Sequence, residues 1–245
     1  MRERILEGKG VTKSFGGLMA IHKVDFYLNE GEIVGLIGPN GAGKTTLFNV
    51  ISGIYPLDEG ELFFNGTSIS SLKPFEICRL GIGRTFQIVR PFLKMTCLEN
   101  ILIGLIGRGE RQKHLREKEK EARFYLEFVG LKGRENGVAK DLTLIEKKRL
   151  EMARALATNP KLLLLDEVLA GLNPSEILQA LELIHIIRSQ LRVTIFWIEH
   201  VMGAMMKASD RIIVLNQGEK IKEGKPEEIV SDPQVIEAYL GESNA

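Results

Sequence analysis

Gly38-Pro39-Asn40-Gly41-Ala42-Gly43-Lys44-Thr45 follows the spacing G-x-x-x-x-G-K-T, which suits a loop that cradles a chain of phosphates. Glycines let the backbone curl until several N–H groups face one anion. A helix N-terminus behind such a loop adds about half a positive charge. Lys44 would reach the β- and γ-phosphates, the Thr45 hydroxyl would ligate Mg²⁺, and Thr46 continues the phosphate-binding stretch. The flanks separate this motif from a chance glycine-rich turn. Glu32 to Ile37 is an apolar, β-branched run that reads as a buried strand, and Thr46 to Ile51 reads as a helix start.

A second set of polar residues closes apolar runs. Leu162 to Leu165 ends in Asp166-Glu167, and a carboxylate at the end of a buried parallel strand faces the ligand crevice. Asp166 there can hold Mg²⁺ through its water shell. Glu167 either polarises a water for attack on the γ-phosphate or is a solvated loop acid. Ile195 to Ile198 likewise leads to Glu199-His200, and His200 either senses the γ-phosphate or packs at the strand end. Gln87 follows a short strand-like segment at Gly83 to Phe86. It is either a ligand for Mg²⁺ or water, or a surface amide. Phe15 either stacks on an adenine ring or is a core aromatic.

The elements that must position these groups are legible as runs. Ile5 to Phe15 and Val24 to Leu28 read as strands joined through Gly16-Gly17, and Gly60 to Gly66 as a strand entering an Asn-Gly turn. From Pro91 to Asn159 the pattern turns helical. One helix opens at Thr96 with Glu99 three residues on, as in a capping box; another spans Leu142 to Ala157. The charged stretch from Arg108 reads as a solvated arm that turns apolar at Phe124. Strand-like and helical runs then alternate to Leu215, which implies a parallel sheet. The 245 residues carry 33 Lys and Arg against 32 Asp and Glu, so no basic footprint for nucleic acid exists. Two cysteines, Cys78 and Cys97, are too few for a disulfide framework and read as packing residues. No signal region opens the chain, and no apolar run reaches the 18 to 20 residues or so needed to span a bilayer. The chain is therefore expected in the cytoplasm, with any membrane crossing left to another subunit.

With these residues in place, the chain resembles the ATP-binding subunit of an ABC transporter along essentially its whole length. The resemblance rests on the phosphate loop, Gln87 at the Q-loop, Asp166 with Glu167, Ala170-Gly171-Leu172-Asn173 at the D-loop, the switch residue His200, and Phe15 at the adenine position. Gly81 to Gln87, Met95 to Asn100 and the ending Pro233 to Glu242 are similar to branched-chain amino-acid importers, in particular the cassette whose Q-loop reads R-T-F-Q. Lipopolysaccharide-export and urea-import cassettes are close relatives. The resemblance implies an α/β fold: a P-loop NTPase (RecA-like) core with an antiparallel β subdomain and an inserted helical subdomain. It implies one ABC ATP-binding domain over 1–245, with core and β subdomain at 1–90 and 160–245 and the helical part at 91–159. It implies ATP and Mg²⁺, the latter on Thr45, Gln87 and Asp166, and catalysis by Lys44, Glu167 and His200. The implied partners are a second cassette, two transmembrane permeases and, indirectly, an extracytoplasmic solute-binding protein, with this chain on the cytoplasmic face of the membrane. Soluble ABC proteins of DNA repair or translation fit poorly, since they generally carry two cassettes and nucleic-acid-binding elements.

The chain departs from the family at the signature, typically L-S-G-G-Q, which falls at Leu142-Thr143-Leu144-Ile145-Glu146. Thr143 can substitute for the serine hydroxyl. Ile145 replaces a glycine that lets backbone approach the ATP held by the opposite cassette, and Glu146 brings negative charge near a polyanion. Val168 and Val201 stand where Pro and Asp are usual. In the family each signature serves the other subunit's phosphate loop. The pattern therefore favours a heterodimer with one competent site; a regulatory subunit with little hydrolysis is the rival reading.

Overall fold

The computed structural model describes residues 3–109 and 114–240. Residues 110–113 of the charged stretch, and Gly241 and Glu242 of the ending, lie outside them. In the first thirty residues, β1 (Arg4–Phe15) and β2 (Leu18–Asn29) pair antiparallel around Gly16-Gly17, with Gly16 at φ +58°. β2 starts six residues before the Val24 to Leu28 run, because the two-residue turn lets pairing begin at once, Phe15 against Leu18. β3 (Ile33–Ile37) leads through the glycine-rich loop to α1 (Lys44–Ile51), which begins two residues earlier than expected. β4 (Glu59–Phe64) and β5 (Thr67–Ser68) flank Asn65-Gly66, both at positive φ as a type I′ turn requires. α2 (Pro74–Leu80) and β6 (Ile82–Arg84) follow. Three helices come next: α3 (Cys97–Gly107), α4 (Leu115–Phe128) and α5 (Leu144–Ala157). The chain continues through β7 (Leu162–Asp166), α6 (Pro174–Leu191), β8 (Thr194–Ile198) and α7 (Met202–Ala208). It closes with β9 (Arg211–Asn216), β10 (Glu219–Gly224), α8 (Pro226–Val230) and α9 (Pro233–Leu240).

The strands form two sheets. One is antiparallel, in the order β2-β1-β4-β5. The other runs β10-β9-β3-β8-β7-β6, parallel from β9 to β6, with β10 antiparallel at its edge. The inner strands of the second sheet are buried on both faces, which is why they read as unbroken apolar runs. Their alternation sorts residues into two cores. Val34, Leu36, Leu164 and Phe196 pack with Phe48 of α1 and with the antiparallel sheet, through Leu6, Val11 and Phe26. Ile33, Ile37, Leu163, Leu165 and Trp197 face the other way, into a core shared with Ile101, Leu126 and Leu150 of α3, α4 and α5.

The capping box expected at α3 is present: the Glu99 N–H donates to Thr96 Oγ1 at 3.2 Å, and the Thr96 N–H to Glu99 Oε2 at 2.7 Å. The solvated-arm reading fails at Arg108. Its side chain is buried, paired with Glu121 at 2.6 Å and bonded to the Tyr125 hydroxyl at 2.9 Å, so it ties the end of α3 to α4. Asn100, fully buried in α3, fastens the segment after Gln87. Its amide accepts from the Phe92 N–H at 2.8 Å and donates to the carbonyls of Phe92 at 3.2 Å and Thr96 at 2.9 Å. Asn100→Ala strands these backbone groups, and urea unfolding should show a loss of about 2 kcal/mol. A loss below about 0.5 kcal/mol would mean the segment is held by something else.

Candidate nucleotide site

Strand register sets the site. Leu36 of β3 lies beside Ile198 of β8, and Ile198 beside Asp166 of β7. Neighbouring strands are about 4.8 Å apart, so three strand ends meet within about 10 Å at one edge of the sheet. The residues that follow them, Gly38, Glu167 and Glu199, stand side by side at that edge, and Glu167 lines the crevice.

The loop after β3 is shaped by sterics. Gly38 has φ +150° and Gly43 φ +100°; a Cβ on Gly38 would run into the Leu215 carbonyl, and one on Gly43 into that of Ala20. Gly43 is also the N-cap of α1, so the helix start sits against the loop. Lys44 folds across it, donating to the carbonyls of Gly38 at 2.6 Å and Pro39 at 2.7 Å. From the far end of the chain, the Tyr239 hydroxyl of α9 accepts the Gly38 N–H at 2.8 Å.

Asp166 is buried beneath the loop. Burial pushes its carboxyl above the ordinary range, against the pull of Arg84, whose guanidinium donates to Oδ2 at 3.0 Å. Arg84 also donates to Asn49 Oδ1 at 2.7 Å and Ser52 Oγ at 2.8 Å, and lies between the rings of Phe48 and Phe86. The other carboxylate oxygen, Oδ1, is buried without a hydrogen-bond partner. A hard cation would satisfy it, and the Thr45 hydroxyl is a second oxygen donor of the right kind, so the residues fit Mg²⁺. Among the described residues no group of three or more His, Cys, Asp or Glu side chains gathers to hold a metal. An ion here would therefore take most of its ligands from phosphate and water.

Glu167 is the focus of the site. Its backbone is left-handed, φ +49°, a conformation that costs a non-glycine residue about 1 kcal/mol. Its Oε1 lies 2.9 Å from His200 Nε2, and its Oε2 accepts from Gln87 Nε2 at 2.7 Å. The structure thus brings Gln87, Glu167 and His200 together on one carboxylate. Gln87, for which the family resemblance implies a Mg²⁺ contact, donates to Glu167 here. These three line a cavity of about 660 Å³ with Phe15, Asn40, Gly41, Ala42, Gly43, Lys44, Thr45 and Thr46. Gly38 and Pro39 reach it through Lys44, which their carbonyls hold, and Asp166 is buried. Phe15 is no core aromatic: it is 42% exposed, edge-on to Tyr55 at 5.0 Å. Sequence reasoning missed Arg84, Lys148 and Glu199. Lys148 of α5 donates to the Val168 carbonyl at 2.9 Å, and Glu199 accepts the Leu169 N–H at 2.7 Å.

The signature segment corrects two expectations. The helix starts at Leu144, two residues later than its sequence pattern suggests, and Thr143 is its N-cap. Glu146 accepts from the Thr143 N–H at 2.9 Å and pairs with Arg134 at 2.9 Å; these bonds hold its carboxyl below the usual range. Its charge is therefore already matched within the chain. Ile145 is half-buried, lining an apolar hollow with Val168, Leu172 and Ile184, whereas Leu144 is 47% exposed.

A β-sheet edge with a glycine-rich anion loop, a buried carboxylate and a poised glutamate defines a nucleoside-triphosphate hydrolase. A family model described as ABC transporter matches residues 21–170, and one described as branched-chain amino acid ATP-binding cassette transporter matches residues 219–245. The chain belongs to the ABC transporter family, as one of the ATP-binding cassettes that hydrolyse ATP to power transport. It is 42% identical to the high-affinity branched-chain amino acid transport ATP-binding protein BraF of Pseudomonas aeruginosa, covering 99% of this chain and 100% of that protein. It is 41% identical to the corresponding LivG of Escherichia coli, over the same shares. The solved ADP conformation of MJ1267, an ATP-binding cassette of an ABC transporter, superposes with a TM-score of 0.89 at 34% identity, covering 98% of this chain and 99% of that one. Among the described residues no helix is long and apolar enough to cross a membrane.

Glu199 gives the site a pH signature. Burial pushes its carboxyl up from the ordinary 4.5 to about 7. Below pH 4.5 the group is protonated in both folded and unfolded chains. Between 4.5 and 7 the unfolded chain releases the proton and the fold keeps it, so stability falls as pH rises, by of order 3 kcal/mol in all. Glu199→Gln keeps an acceptor for Leu169 without the charge. Urea unfolding at about pH 5 to 8 should show a variant whose advantage over the native chain grows with pH; parallel curves would refute the assignment.

Proposed function

We propose that this chain powers import of branched-chain amino acids from the cytoplasmic face of the membrane, paired with a second, different cassette and docked on two permease subunits. The likeness to BraF and LivG and the match over residues 219–245 support the solute class. A separate binding protein and the permeases would select the solute. The observation that carries the reading is the Glu167 carboxylate, held between Gln87 and His200 on the wall of the phosphate-loop cavity.

Each residue of the site has its own part in the reaction. Loop N–H groups from Gly41 to Thr46 and the start of α1 bind the phosphates, with Phe15 against the base. Lys44 exchanges its two loop carbonyls for phosphate oxygens. Thr45 and Asp166 would hold Mg²⁺, which when bound neutralises phosphate charge. Glu167 takes the proton of the attacking water, with its orientation fixed by His200 and Gln87. Gln87 opens a segment in which Ile88, Phe92 and Leu93 are exposed, a surface suited to a permease. The helices of 91–159 move on that contact as one subdomain of a single cassette.

Glu167→Gln should bind ATP and lose turnover by about 100-fold or more. Its mass in solution, with and without ATP, tests the pairing. A variant that stays monomeric alone and dimerises only with a cassette bearing an intact L-S-G-G-Q supports the heterodimer; ATP-driven self-dimerisation refutes it. Ile145→Gly should raise turnover at the second site of such a pair, and unchanged turnover would clear Ile145 of the defect.

A further inference from the structure

Loop 167–169 is held by side chains to which the chemistry above gives no role. From the backbone, the Glu167 N–H reaches the Ile198 carbonyl at 2.9 Å and the Ala170 N–H reaches the Glu167 carbonyl at 3.2 Å. Side chains supply the rest. Lys148 Nζ donates to the carbonyls of Val168 at 2.9 Å and Glu167 at 3.4 Å, and Glu199 Oε1 accepts the Leu169 N–H at 2.7 Å. A left-handed glutamate persists only where its surroundings over-determine it, and these bonds do so. Lys148 sits in the second turn of α5, two residues after Glu146, the last of the signature residues. The carboxyl groups of Glu199, Glu151 and Glu167 are near enough to act on its charge, and it lines the same apolar hollow as Ile145 and Val168. Glu199 directly precedes His200.

We infer that Lys148 and Glu199 are positioning residues for ATP hydrolysis: together they fix loop 167–169 so that the Glu167 carboxylate faces the cavity, and Lys148 ties its position to the pose of the chain's own signature helix. The inference rests on Glu167 being the base. A displacement of α5 then acts on hydrolysis within the same subunit, by pulling on the carbonyls of Glu167 and Val168.

The test compares Lys148→Met, Lys148→Arg, Glu199→Leu and Glu199→Gln in the assembled transporter, with ATP affinity measured on each full chain. Misplacement of a catalytic group by about 1 Å costs up to about 100-fold, so Lys148→Met should lower kcat at least about tenfold while KM and ATP affinity change less than about twofold. Lys148→Arg, which restores a donor, should recover part of the loss. Glu199→Gln, which keeps the acceptor, should turn over several-fold faster than Glu199→Leu. A Lys148→Met chain that binds ATP normally and keeps kcat within about twofold of native overturns the inference. If Lys148→Met does not fold, the Glu199 pair decides, and equal kcat for Gln and Leu overturns it. Native turnover in Glu167→Gln, run in parallel, would instead overturn the base assignment beneath it.

Discussion

Everything at the site hangs from the side-by-side register of Leu36, Ile198 and Asp166 across three parallel strands. Hydrogen bonding along β3, β8 and β7 fixes that register, and burial on both faces removes any alternative. A slip by one residue would exchange Leu36 for Gly35 and turn each strand's core residues to the wrong face. Given the register, the loop, the glutamate and the histidine need only short connections to converge. Glu167 follows its strand immediately, and His200 lies two residues beyond its own.

Electrostatics completes what the register begins. Arg84 enters from the adjacent edge strand and meets Asp166 between two aromatic rings, where neither charge is in water. A buried pair of this kind is weak evidence of stability, but it fixes geometry: one carboxylate oxygen is taken and the other is buried without a hydrogen-bond partner. The same arginine bonds Asn49 and Ser52 of α1 and its C-terminal cap, so the phosphate-loop helix and the Asp166 strand are braced by one side chain.

The fold class, the phosphate loop and the strand-end carboxylates are readable because each is local: a short run of fixed spacing, or an apolar run with a polar end. Arg84, Lys148 and Glu199 are not, because their partners lie up to 82 positions away and nothing in a run of sequence marks the meeting. Thr143 and Glu146 show the opposite effect. Their T-x-x-E spacing is a capping box, as legible as that of Thr96 and Glu99, but comparison with the family signature hides it. Ile145 and Val168, two departures far apart along the chain, line one hollow in space.

The hydroxyl of Tyr239 on the N–H of Gly38 joins residues 201 positions apart. β3, the strand that launches the phosphate loop, is likewise flanked by β8 and β9, both from the last quarter of the chain. On the ribosome, the loop emerges early and waits. Its two neighbouring strands are completed only when residues 194 to 216 arrive, and the Tyr239 bond to Gly38 only when α9 does. Such long-range closure is slow relative to local folding. The phosphate loop therefore reaches its native setting only after residues 194 to 240 have been made, long after its own motif.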